Sequence, residues 1–471
     1  MDFDPVLISR IQFAFVVSFH AIFPVFTIGL ASYVAVLEGL YYRTDNPLYL
    51  RLSKFWTKVF AVVFGMGVVS GIVMAFQFGT NWSNFAYSAS NFLGPVLSYE
   101  VVTAFFLEAT FLGVLLFGRD KVPRGLHLFS ACMVAIGTFI SSFWILSANS
   151  WMHTPAGVEM VDGMVQMTSW TQAIFNSSFP YRFAHMALAS FITGGFVVAG
   201  VSALYLLRGN HVETSKKALK MCVIMLAVVT PMQLLIGHEH GLNTFENQPV
   251  KVAAMEGAWE TKSAAPLILF AIPDAANETN HFEIKIPYLA SIVLTHSADG
   301  VVPGLLEVPA DERPPVGIVF WSFRIMVGLG LIFIAISLLS AYQLYRGHLY
   351  DSRLLLRAYT WLIPAPFVAV LTGWFVTEVG RQPWMIQGLM RLDEAVTPSV
   401  TGWMALVTLI GYFAVYAVVF SAGVFYLRKV VEGGPDPIES DSDSEGSNAR
   451  PKRPWSAVSN QLDEAPSAAG S

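Results

Sequence analysis

Nine apolar runs, each long enough to cross a bilayer, constrain this chain more than any other feature. They fall near residues 12–41, 55–78, 97–117, 126–148, 180–207, 219–238, 317–345, 358–380 and 402–427. A hydrocarbon core about 30 Å thick needs roughly 20 helical residues to span it. Backbone in lipid must satisfy its own hydrogen bonds, so each run is predicted to be a transmembrane helix. Only 13% of the 471 residues are charged, and mean hydropathy is +0.55. A soluble domain carries about 25% charged residues, so most of this surface meets something other than water. A net charge of -5 argues against nucleic acid as a partner. The N-terminal MDFDPVLISR has no basic n-region or A-x-A cleavage site, so the first run is predicted to be a retained helix. Cys132 and Cys222 each sit inside an apolar run and can build no disulfide framework, CxxC or CxxCH motif.

Orientation follows from the basic residues of alternate loops. Loops after runs one, three, five and seven carry Arg43, Arg51, Lys54 and Lys58, then Arg119, Lys121 and Arg124, then Arg208, Lys216, Lys217 and Lys220, then Arg346, Arg353 and Arg357. Loops 79–96 and 149–179 carry none. The odd loops and the C-terminus are therefore predicted to be cytoplasmic, with the N-terminus outside. Residues 1–430 form the transmembrane domain in this reading, and 239–316 a long outer loop of a length that usually has a role of its own. The acidic, Pro/Ser-rich segment 431–471 is predicted to be a disordered cytoplasmic tail.

Ionisable groups in a bilayer cost at least a few kcal/mol on insertion scales, which makes each a functional candidate. His20 lies in FVVSFHAIFPVF, Glu100 and Glu108 in SYEVVTAFFLEATF, and His185 in PYRFAHMALAS. Arg324 and Met326 lie in FWSFRIMVG, and Glu378 and Arg381 in GWFVTEVGRQPW. With the predicted topology, His20, Glu100, His185, Met326 and Glu378 share the outer half of the membrane. Glu108, about 12 Å further along its helix than Glu100 and about 80° round from it on an ideal α-helix, approaches the midplane. His and Met together suit a low-spin, electron-carrying haem. Arg182, three residues before His185, shares its helix face and is placed to pair with a haem propionate. Trp374 shares a face with Glu378 in the same way.

Each residue also has a plainer reading. A single intramembrane His often bridges helices by a hydrogen bond. Met326 is one of 17 methionines and alone reads as core, and Glu378 with Arg381 reads equally as a structural ion pair. His127, His211 and His348 are predicted to be solvated at cytoplasmic ends. His153, His281 and His296 are placed in outer loops, and loop placement is also favoured for His238 and His240 in GHEHG. Buried carboxylates would equally serve a proton-coupled transporter or channel, but the inverted repeats and Gly/Pro-broken helix pairs typical of that class are not found, although Pro24, Pro231 and Pro364 do interrupt runs.

Taken in series, SRIQFAFVVSFHAIFPVFTIGLAS, SYEVVTAFFLEATF, YRFAHM, VKVAAMEGAWET, FWSFRIMVG and GWFVTEVGRQPW resemble subunit I of the cytochrome bd-type quinol oxidases over about residues 1–430. The resemblance implies an all-α, nine-span protein of the bacterial cytoplasmic (inner) membrane that oxidises quinol outside and reduces dioxygen to water without pumping. It implies His185 and Met326 as axial ligands of low-spin haem b. His20 and Glu378 are implied as ligands of two high-spin haems, a haem b and a haem d or a further haem b in its place. Trp374 matches a tryptophan between haems, Glu100 a carboxylate at the oxygen-binding haem, and Glu108 one on the proton route. Lys251 and Glu256 match the quinol-site pair of the outer loop, Arg182 and Arg324 serve as haem support, and Arg381 joins the catalytic set. A membrane subunit II is implied as partner, and in some members a small single-helix subunit. The loop resembles the short-loop, cyanide-insensitive branch, and His238 stands where other members carry Asp.

Overall fold

The computed structural model describes residues 3–436; most of the predicted tail lies outside them. Eight helices are each long and apolar enough to span: α1 (Pro5–Thr44), α2 (Pro47–Thr80), α3 (Ser90–Phe117), α4 (Arg124–His153), α5 (Phe179–Arg208), α6 (Val212–Asn247), α8 (Val316–Tyr345) and α11 (Gly402–Gly433). Between α6 and α8 lies the short loop helix α7 (Pro249–Glu256). The ninth span is a pair, α9 (Arg353–Trp361) and α10 (Ala365–Val379), bent by 42° at the break that holds Pro364. All nine predicted runs are thus recovered. The helices extend past the apolar runs because the flanking polar residues continue them. α6 runs on to Asn247, so His238 and His240 are helical and the loop begins at 248, not 239.

Local chemistry sets the ends. Asp4 caps α1 by accepting from the Val6 N–H at 2.9 Å with Pro5 behind it, and Asn46 and Pro47 do the same for α2. Short connections force neighbouring helices antiparallel. The chain starts and the long loop therefore lie at one end of the bundle (the loop face), and the Lys/Arg-rich turns lie at the other (the basic face). α5 is the central helix, with 72% of its apolar window buried, against 17% for α8 and for α11. It crosses α1 where side chains nearly vanish: a Cβ on Gly29 would stand 3.3 Å from the Gly194 Cα and still closer to the Ser190 carbonyl. Small residues let two helix backbones approach this closely.

The loop, residues 248–315, carries α7 and an antiparallel hairpin, Leu267–Asp274 with Thr279–Ile286. It is fastened to the bundle rather than draped over it. Arg324 of α8 donates from Nε to the Ile268 carbonyl at 2.8 Å and from NH1 to the Met255 carbonyl at 3.0 Å.

Candidate functional site

Three of the predicted ligands face a glycine on a neighbouring helix. Beside His20 on α1 is Gly71 of α2, where a Cβ would lie 3.1 Å from the imidazole Cε1. Beside His185 on α5 is Gly237 of α6, at 3.2 Å from Cε1. Beside Met326 on α8 is Gly373 of α10, where a Cβ would lie 3.0 Å from the sulfur. At all three positions even one methyl group would crowd the candidate ligand atom or ring. Pro24, four residues after His20, has no N–H, so it cannot close the helical bond to the His20 carbonyl and loosens α1 at this point. The His20 Nδ1 lies 2.9 Å from Ser70 Oγ, which fixes the ring. The His185 Nδ1 is buried without a partner, 5.5 Å ring to ring from His240.

Glu378 ends α10 in a network of buried polar groups. It accepts from Asn149 Nδ2 at 2.7 Å and from the Arg381 guanidinium at 2.7 Å, and His153 Nε2 is 3.4 Å away. Arg182 NH1 donates to Asn149 Oδ1 at 3.4 Å. Lys251 Nζ is 3.0 Å from His153 Nδ1 and donates to Gln248 Oε1 at 2.7 Å. Arg182, Arg381, Lys251 and His153 are each 6% exposed or less. Three basic side chains thus gather around one carboxylate. Arg182 Nε, Arg381 Nε and NH1, Arg10 Nε and Trp374 Nε1 are buried donors with no partner. Buried donors are nearly always satisfied in folded proteins, so the unpaired guanidinium donors call for anionic acceptors and the neutral Trp374 indole for an acceptor of either kind.

The quinol-site pair expected from the resemblance separates on inspection. Both residues are on α7 and buried, at 3% and 7% exposure, but they do not bond to each other. Lys251 turns to His153, whereas Glu256 accepts from Arg324 NH2 at 3.0 Å. Arg324 is therefore occupied by the loop through Glu256, Met255 and Ile268. Burial pushes the Glu256 carboxyl above its usual range, and Arg324 pulls it part of the way back. Burial, with Arg182 and Arg381 nearby, pushes the Lys251 ammonium well down.

Glu100 and Glu108 are also rearranged relative to expectation. Val101–Phe105 form a π-turn within α3, which inserts one extra residue between them. That removes about 100° of rotation, so the two carboxylates stand about 20° apart around the axis rather than about 80°. Their contacts agree. Ser141 donates to Glu100 at 2.8 Å, and Glu108 packs on Gly137, one turn away on the same face of α4. Thr103 is held by Trp144 Nε1 at 2.9 Å and itself donates to the Tyr99 carbonyl at 2.6 Å.

Two histidines depart from their predicted placement, His127 from a solvated cytoplasmic end and His153 from an outer loop. His127 is 2% exposed, with Nδ1 3.1 Å from Glu38 and Nε2 3.1 Å from the Leu115 carbonyl, because the buried Glu38 carboxylate draws it inward. His153 is 1% exposed because α4 continues through the polar SANSWMH to carry it into the network. The sequence held a usable sign of this, since Asn149 and His153 are four apart and share a helix face. Ser141 and the three glycines had no such sign.

A helix bundle that sets candidate His and Met ligands against glycine clearances, with a candidate Glu and unpaired buried guanidinium donors nearby, has the chemistry to hold a flat, anionic metal cofactor such as haem. Comparison with known proteins agrees: residues 8–435 match the family Cytochrome bd terminal oxidase subunit I, and the chain belongs to it. It is 37% identical over 438 residues to the cytochrome bd ubiquinol oxidase subunit 1 of Bacillus subtilis (strain 168), covering 91% of this chain and 94% of that one. It is 32% identical over 510 residues to the cytochrome bd-II ubiquinol oxidase subunit 1 of Escherichia coli (strain K12), covering 93% and 98%. The bd oxidase structure from Geobacillus thermodenitrificans superposes with a TM-score of 0.85 at 30% identity, covering 92% of this chain and all of that one. The chain is a subunit of a haem-bearing quinol oxidase, a multi-pass protein of the bacterial cytoplasmic membrane.

Proposed function

We propose that this chain carries both reaction sites of its oxidase, oxidising quinol at the loop face and reducing dioxygen to water within the bundle. The observation that supports this most is the pairing of glycine clearances at His20, His185 and Met326 with unpaired donors on Arg182, Arg381 and Trp374. His185 and Met326 would hold a low-spin haem b. His20 and Glu378 would each hold a high-spin haem, one of b type and one of d or b type, with Trp374 beside Glu378 and Arg182 and Arg381 toward propionates. When bound, these haems supply the electron-carrying and oxygen-reducing chemistry.

The chain's own residues would handle the protons. Glu256, held above its usual carboxyl range, accepts a proton from quinol while Arg324 keeps it in place. Lys251 offers an N–H to a quinol oxygen. On the other side, Glu108 and Glu100 of α3, with Ser141 of α4 bonded to Glu100, would form a short polar series between the two helices toward the loop face. A polar cavity of about 190 Å³ beside Glu38, Arg119 and His127 gives water access at the basic face. Protons released at the loop face and taken from the basic face separate charge without a pump. A second membrane subunit, and a small single-helix one, complete the complex in this reading.

Two experiments test it. Anaerobic membranes enriched in the complex should show reduced-haem bands on adding quinol; a transporter would show none. A periplasm-active reporter fused after residue 90 or 165 should be active and one after 121 or 213 silent. The opposite pattern would reverse the faces assigned to quinol and proton uptake.

A further inference from the structure

His153 stands between two groups that the reading above gives to different reactants. Its Nδ1 is 3.0 Å from Lys251 Nζ of the loop helix, and its Nε2 is 3.4 Å from Glu378 Oε1. The chemistry of the partners fixes the ring. A carboxylate oxygen only accepts, so Nε2 must carry the hydrogen; in the neutral imidazole Nδ1 is then the acceptor, which matches the lysine N–H. Both hydrogen bonds are therefore satisfied in one tautomer, and the opposite tautomer sets the Nε2 lone pair against the carboxylate oxygen.

The setting leaves the ring little freedom. Its side chain is fully buried. Gln248, one helical turn before Lys251, holds the same amine at 2.7 Å and is itself held by Gln387 at 2.9 Å. Gly380 of the α10 end packs on the Lys251 stem, where a Cβ would fall 2.9 Å from Cγ. The loop helix is thus seated on the turn that ends α10 and presents Glu378. Movement of Lys251 toward a ligand must be transmitted to Glu378 through the imidazole or must break it.

We propose that His153 is a positioning residue that joins the quinol-binding Lys251 to the haem-binding Glu378, so that occupancy of the loop site is felt at the Glu378 haem. The proposal rests on the site assignment above. It makes no use of the ring changing charge; it requires only that one neutral imidazole bridges the two groups. Coupling of this kind is reciprocal, so whatever loosens Glu378 also weakens binding at the loop.

The test compares His153→Leu with His153→Gln in the purified complex. A glutamine side chain offers an acceptor oxygen and a donor nitrogen at similar separation, whereas leucine fills the space and offers neither. Two readouts are needed: the Kd of decylubiquinone, titrated calorimetrically onto the oxidised complex without turnover, and the resting visible spectrum of the high-spin haems. We expect the leucine variant to bind decylubiquinone about tenfold more weakly, the effect of losing one hydrogen bond from a buried amine. Its high-spin bands should be shifted at rest, and the bands should no longer respond to saturating decylubiquinone. The glutamine variant should lie within about threefold of the parent Kd and keep that response. An unchanged Kd or unchanged bands in the leucine variant would overturn the proposal, and so would failure of glutamine to restore both. A Glu378→Gln complex with its haem bands intact would instead remove the haem assignment of Glu378, an outcome read separately from the His153 pair.

Discussion

Replacing Glu108 with Gln should slow oxygen-reducing turnover at least about tenfold while every haem remains bound and reducible. The side chain is 6% exposed and packs through its Cγ onto Gly137. An amide of the same shape therefore fits without rearrangement, so a loss of rate would report the lost proton rather than lost packing. Four protons are consumed per dioxygen, and in the proposed reading they would reach a site near the loop face from the opposite side. The π-turn at Val101–Phe105 places Glu100 and Glu108 on one side of α3, both against one face of α4. The proposed proton series would use that alignment, with Ser141 beside Glu100 as the hydroxyl link. Glu108→Asp should keep partial activity, since it retains an ionisable group on a shorter stem. Stopped-flow reduction of the haems followed by steady-state oxygen uptake separates the steps. Fast reduction with slow uptake is expected, and full uptake in the Gln variant would reduce Glu108 to a packing residue.

Glu256→Gln should abolish quinol-driven oxygen uptake while uptake with an artificial donor that feeds the haems directly survives. Quinol loses two protons with its two electrons, so its site needs a base whose affinity for protons approaches the working pH. Burial moves the Glu256 carboxyl in that direction. Glutamine keeps an acceptor for the Arg324 NH2 that now bonds at 3.0 Å, so the fastening of the loop through Arg324 to Met255 and Ile268 should remain. The variant therefore removes the base and spares the loop. Equal loss with both donors would move the defect out of the quinol site and into the haems or the assembly. Arg324→Leu is the contrasting change: it leaves a buried carboxylate and two carbonyls unpaired and should cost the loop its fold.

These two changes also show what hydropathy can and cannot see. The nine spans and the candidate residues His20, His185 and Glu378 were legible because long apolar runs mark the spans and an ionisable group is rare in such a run; Met326 stood out only through the family resemblance. The partner of each group was not legible. VVTAF contains nothing to distinguish a π-turn from an α-turn, yet that turn decides whether Glu100 and Glu108 face together. His153 looked like a loop residue because SANSWMH is too polar for a hydropathy window, although it continues α4 into the densest polar network of the site. His127 looked solvated because it stands at the predicted cytoplasmic end of its run, and the buried Glu38 that holds it lies 89 residues away in sequence. Glycines 71, 237 and 373 carry no chemistry of their own and acquire meaning only opposite a ligand.

The central claim, that His185 and Met326 hold a low-spin haem in this bundle, is tested most directly by electron paramagnetic resonance of the oxidised, purified Met326→Leu complex. Leucine nearly conserves volume, so packing should change by less than about 1.5 kcal/mol, and the clearance provided by Gly373 remains. The account predicts that the low-spin signal disappears into a new high-spin signal while pyridine haemochrome analysis gives the same number of haems as the parent. A low-spin signal unchanged in position and intensity would contradict it and remove Met326 from the site.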